Sequence, residues 1–144
     1  MKHRILIVLC VAMLLQTGCM GLFHPQAEEI YNEAKSSNAQ NTALTILDMM
    51  ETSAQQAKTE HGGSPGIEGL HNEFHAFHKT FCDFSEPQRA TTAYEQAVTL
   101  NKELKAVFHR LWKFKQDTAL RTAHLDLLLA RIQELRTTIQ AIPG

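Results

Sequence analysis

The chain has 144 residues, of which 44% are hydrophobic and 20% charged, and its formal net charge is −1. That is enough sequence for one domain with a real core. The charge balance lacks the basic excess of a nucleic-acid-binding domain, so nucleic acid is not an expected partner.

In chain order, the first element is a short basic start, Lys2-His3-Arg4, followed by an almost wholly apolar run from Ile5 to Leu15 and then Gln16-Thr17-Gly18-Cys19. A basic head, an apolar core of about 7–15 residues and a small residue before the cut make a secretory signal. The core is too short to remain as a membrane span, which needs about 20 apolar residues. A glycine followed directly by cysteine resembles a bacterial lipoprotein signal. The resemblance implies that residues 1–18 are removed and Cys19 is lipidated, with residues 19–25 as an anchored linker and 26–144 as the folded domain. It places the protein in the periplasm, tethered to a bacterial membrane, the outer one by expectation, with a periplasmic protein as a further partner. The departure is Gln16, where that family prefers an aliphatic residue. Without the signal, residues 19–144 carry 12 basic and 15 acidic side chains, a net charge of −3. Cys82 is then left without a second cysteine for an internal disulfide, so packing must hold the fold.

Pro25 suits the first turn of a helix reaching about Ser36, with Ala27, Ile30, Tyr31 and Ala34 on its apolar face. Residues 39–60 read as a helix with Ala43, Leu47, Met50, Ala54 and Ala57 on one stripe. The run His61-Gly62-Gly63-Ser64-Pro65-Gly66 reads as a loop. A third helix is expected from about Ile67 to Phe84, its core face being Ile67, Leu70, Phe74, Phe77 and Phe81. Ser85 can cap the next, from about Gln88 to Lys115, through Tyr94, Ala97, Val98, Leu104, Phe108, Leu111 and Trp112. Asp117 or Thr118 can cap a last helix with the stripe Leu120, His124, Leu128, Leu135 and Ile139. No proline or glycine separates 88 from 142, so one long helix there is an open alternative. No segment alternates with period two. The fold expected is all-α, an antiparallel four-helix bundle with room for an extra C-terminal helix.

The segments Asn38 to Lys58, Leu70-His71-Asn72-Glu73-Phe74 and Ala106-Val107-Phe108-His109-Arg110-Leu111-Trp112-Lys113, in that order and spacing, resemble cytochrome b562, a periplasmic four-helix haem protein. The resemblance spans roughly residues 26–113. It implies haem b as cofactor, electron transfer as activity and His109 as an iron ligand. Two departures stand beside it. The position of the family's methionine ligand falls on Phe23, which cannot bind iron, leaving the adjacent His24 as the candidate second ligand. Some thirty residues also follow the point where the family chain ends. Covalent haem attachment is excluded by the lack of a Cys-x-x-Cys-His motif.

The densest chemical constellation lies on the third helix. Glu68, His71, His75, His78 and Cys82 share a stripe about 80° wide at 100° per residue. His71 and His75, four apart, can reach one ion from one face, the spacing of helical zinc sites. His78 lies about 10.5 Å from His71 along the axis at 1.5 Å per residue, so all three cannot readily share an ion. One helix supplies two ligands at best. A tight site needs more from another element, with His61 and His124 as candidates. Imidazole and thiolate suit zinc, copper or nickel. The bland alternative is a half-solvated flank that happens to use histidine. Lys102, Lys105, Arg110, Lys113, Lys115 and Arg121 form a basic stretch that could meet haem propionates or anionic lipid. There is no nucleophile and base pattern, no phosphate loop and no paired-carboxylate motif, so a binding role rather than an enzyme is expected. Two functions remain open: a haem-binding electron carrier, or a non-haem helical lipoprotein that binds a metal or a protein partner or serves as a scaffold.

Overall fold

The computed structural model describes residues 24–59 and 64–144. The signal segment 1–18, the lipidation candidate Cys19, Phe23 and His61 lie outside the described residues. Within them the chain is all-α. Helix α1 is Pro25–Ala34, α2 is Ala39–Thr59, α3 is Ser64–Thr80, α4 is the single turn Glu86–Arg89, α5 is Thr92–Lys113 and α6 is Thr118–Gln140. No helix among the described residues is long and apolar enough to cross a membrane.

The helix boundaries follow local chemistry. Pro25 stands at the start of α1, where a missing N–H costs nothing. The Asn38 side chain accepts from Gln40 N at 2.8 Å, satisfying an orphan donor in the first turn of α2. Ser85 N donates to the Gln88 side chain at 2.9 Å in a capping box around α4. The continuous helix expected from 88 to 115 is interrupted. Thr91 caps α5 by accepting from Tyr94 N at 3.2 Å, so the chain turns between α4 and α5. Asp117 caps α6 by accepting from Leu120 N at 3.0 Å, so the last two helices are distinct. These caps leave no proline or glycine signature, which is why one long helix stayed open.

The four long helices α2, α3, α5 and α6 form the bundle, each antiparallel to its neighbours. Across α2 and α6, Lys58 meets Asp126, Arg136 meets Asp48 and Glu51, and Gln40 meets the carbonyls of Ile139 and Ile142. Across α2 and α3, Ser53 faces Glu73, and Gly66 brings the backbones together. A Cβ there would lie 2.7 Å from Ala57 N and Ser53 O. The C-terminal helix is therefore one of the four rather than an addition. The additional element is α1, which runs parallel to α3. It is tied by Lys79 to Glu28 at 2.8 Å, by Tyr31 donating to Asp83, and by the Lys79 ammonium 4.0 Å from the Tyr31 ring centroid.

The core holds the expected faces of α1, α2, α3 and α5, and Leu128, Leu135 and Ile139 of the stripe expected on α6, whose first two positions are corrected. On α6 the inward residues are Arg121, Leu125, Leu128, Ile132, Leu135 and Ile139. Leu120 is 41% exposed, and His124 is half-buried at the edge of the stripe. Leu127, Leu128 and Leu129 make that helix apolar on several sides, so two stripes compete in the pattern. The buried Arg121 was invisible to a hydrophobic count. It is admitted because its guanidinium donates to Lys115 O at 3.1 Å.

Candidate metal centre and the adjoining cleft

Helix α3 sends its phenylalanines into the core, and this orientation sets its histidine flank beside α1 and α5. His71 and His75 are one helical turn apart with ring centroids at 4.9 Å. The third ring comes from His24, the N-cap residue of α1. The parallel docking of α1 carries it onto α3, where it stacks on His75 at 3.8 Å and 18° and lies 5.5 Å from His71. One ring nitrogen from each of the three falls within 4.8 Å of the others. Bonds of about 2.0–2.1 Å to a shared ion would require these nitrogens closer together, with the stacked His24 and His75 rings turned so that their lone pairs converge.

At His71 and His75 the electrostatics favour the lone-pair-bearing form. His75 is held down at about 4, first by burial and then by the positive charge of His24, His71, His78 and Lys105. His71 is lowered by burial and by His24, against the pull of Glu68. His71 Nδ1 is buried with no hydrogen-bond partner. A buried nitrogen without a partner costs free energy unless something else binds it. A metal ion is one such partner, so the three residues fit a cation.

Beside the trio, between α3 and α5, lies a cleft of about 370 Å³. Phe74 and Phe108 stack along one wall at 5.6 Å and 7°. Trp112 follows, its ring 4.9 Å from His71. His71 and His75 line both the trio and the cleft, and His78, Lys105 and His109 complete the rim. A larger opening of about 550 Å³ among the connections includes Asp83, whose carboxylate is already engaged by Tyr31.

The sequence candidates thus separate. His71 and His75 come together as their spacing predicts. His24, singled out as an iron ligand, joins them. His109, the other iron-ligand candidate, is exposed on the cleft rim. His78 is taken up by Asn101, whose Nδ2 donates to its Nδ1 at 3.0 Å. Cys82 is exposed in the turn after α3 and is not among the trio. His124, offered as a third ligand, stacks on Phe114 instead. The basic stretch is also broken up. Lys115 pairs with Glu68 at 3.2 Å, Arg121 is buried, and Lys105 alone of the six lies on the cleft.

Asn101 and Glu73 are among the buried polar positions that escaped the sequence reading. Asn101 is buried with its Oδ1 unpartnered. Glu73 is buried between α3 and α2, where burial raises its pKa against the hydrogen bond from Ser53 at 2.7 Å. Polar residues inside an apolar stripe were the available signal. No protein-family model, curated protein or solved structure matches this chain, so its chemistry must be read from its own geometry.

Proposed function

We propose that this chain is a metal-binding helical-bundle lipoprotein, in which His24, His71 and His75 hold a borderline divalent cation such as Zn(II), Cu(II) or Ni(II). The observation that supports it is the convergence of three imidazoles from two separate elements, their nitrogens within 4.8 Å. Imidazole is a ligand of choice for these ions. Three protein nitrogens leave one position of a tetrahedral ion open, which suits capture and hand-over. The signal-like N-terminus would tether the site to a membrane through lipidated Cys19, on the periplasmic side, where it would exchange metal with a protein partner. His24 lies only five residues beyond that cysteine.

The test is a titration of the purified chain with Zn(II) and Cu(II) against a chromophoric chelator. One ion per chain is expected. His24→Ala, His71→Ala and His75→Ala should each weaken binding by at least about 100-fold, more than the loss of a supporting residue. Cys82→Ala should leave the isotherm unchanged. Trp112, the one tryptophan of the chain, lies against His71, so Cu(II) should quench its fluorescence. An isotherm unaltered in His24→Ala would sink the three-histidine site.

A second reading keeps the haem carrier implied by the resemblance to cytochrome b562. One observation favours it: His109 opens onto a cleft with the flat apolar walls that haem requires. Phe74 and Phe108 stack on each other there, so haem would have to part them. The iron would supply one-electron chemistry, and His109 would be its protein ligand. A Soret band on haem addition, lost in His109→Ala, is the expected result of that reading.

A further inference from the structure

We infer that the cleft between α3 and α5 delivers a small aromatic carboxylate-type anion to the open position of the metal held by His24, His71 and His75. The inference rests on the metal reading above and adds the identity of the exogenous ligand class. Its first support is charge. Three neutral imidazoles leave a divalent ion's charge uncompensated, and the cleft residues include no carboxylate. Glu68, an acid on the same flank, is paired with Lys115. Lys105 adds further positive charge on the rim. A half-buried cation in such surroundings draws an anion from solution.

Shape is the second support. Phe74 and Phe108 are buried and stacked on each other, so the half-buried Trp112 indole beside them offers most of the aromatic surface left for a flat apolar body. The volume of about 370 Å³ lies near the lower end of the usual ligand range, about 300–1,000 Å³. That suits one or two fused rings. Continuity is the third. His71 and His75 belong to both the trio and the cleft wall, so a carboxylate at the metal leaves its ring against the aromatics. The carboxylate would fill the open position, and no bond in the ligand breaks.

The experiment loads the full chain with Co(II), whose visible bands report its ligands, and titrates 1-naphthoate, acetate and 1-naphthylmethanol. Naphthoate should shift the Co(II) bands and bind roughly tenfold or more tighter than acetate, which lacks the apolar body, and than the alcohol, which lacks the charge. In Lys105→Gln, an exposed position, naphthoate should weaken by about fivefold. Bound Co(II) with bands unmoved by naphthoate, or naphthoate no tighter than acetate, would overturn this inference and leave the metal site standing. An unaltered naphthoate affinity in Lys105→Gln would also overturn it. Failure of Co(II) to bind at all would overturn both.

Discussion

Two of the bundle's seams are built on different terms. Where α2 meets α6, Leu47, Met50, Leu128, Ile132, Leu135 and Ile139 are buried, and ion pairs and the Gln40 side chain close the rim. Where α3 meets α5, the contacts are His71 on Trp112, Phe74 on Phe108 and His78 on Asn101. Two buried polar atoms there, His71 Nδ1 and Asn101 Oδ1, have no partner. Unpartnered polar atoms cost about 1–3 kcal/mol each; a third, Glu73 Oε2, lies between α3 and α2. The first seam is closed by apolar packing and ion pairs, and the second keeps polar groups at a cost in stability, as the proposed metal site requires.

The largest expected effect therefore belongs to the first seam. Leu128→Ala removes a fully buried side chain and should cost about 2–5 kcal/mol in a urea melt. His71→Ala, in the second seam, takes away an unsatisfied nitrogen together with some ring contact. It should change the stability of the metal-free chain by less than about 1 kcal/mol. Equal losses in the two variants would erase the contrast.

A middle-sized effect sharpens the role of α1, the element that brings His24 to the site. The Tyr31 hydroxyl is raised above its ordinary value by burial first, and then by the hydrogen bond to Asp83 and the charges of Asp83 and Glu28. The folded state thus holds this proton more tightly than the unfolded chain. The resulting stability is fully present below about pH 10 and is lost as pH climbs toward the folded value. Tyr31→Phe should cost about 1 kcal/mol at neutral pH and should remove that part of the alkaline decline. A urea midpoint series from neutral to alkaline pH measures both. An alkaline decline of equal size in the two proteins would detach Tyr31 from the docking of α1. If α1 docking matters to the site, the same variant should also weaken metal binding.

How much of this was legible depended on whether a feature is local. The faces of α1, α2, α3 and α5 followed from apolar spacing, and the His71 and His75 pair followed from a four-residue interval. Both are properties of one helix. The third imidazole of the cluster is not. His24 meets α3 only because α1 runs parallel to it, held by Glu28, Tyr31 and Lys79 across about fifty positions. His61 and His124 were equally plausible by composition. On α6 the expected stripe held at Leu128, Leu135 and Ile139 and missed at Leu120 and His124 for a different reason. A helix with leucines on several faces offers two stripes, and the buried Arg121 marks the true one through a hydrogen bond that no apolar count registers. The buried Glu73 and Asn101 were missed on the same ground, since each is admitted by a partner on a neighbouring helix.

The smallest effect asks what closes the first seam. Lys58 and Asp126 form an ion pair of 2.7 Å, but their side chains are 32% and 57% exposed. Water and salt screen such a pair, and ordering two long side chains offsets much of the attraction, so Lys58→Ala should cost less than about 0.5 kcal/mol. Arg136 sits deeper at 23% exposed and bridges two carboxylates, Asp48 and Glu51. Arg136→Ala should cost nearer to about 1 kcal/mol, part of it from the carbon stem that covers the apolar core. Melts at low and high salt separate the parts. Salt should shrink the charge contribution of both pairs and leave the packing contribution of Arg136. If Lys58→Ala instead approached the loss in Leu128→Ala, the first seam would be held by its rim and not by its core.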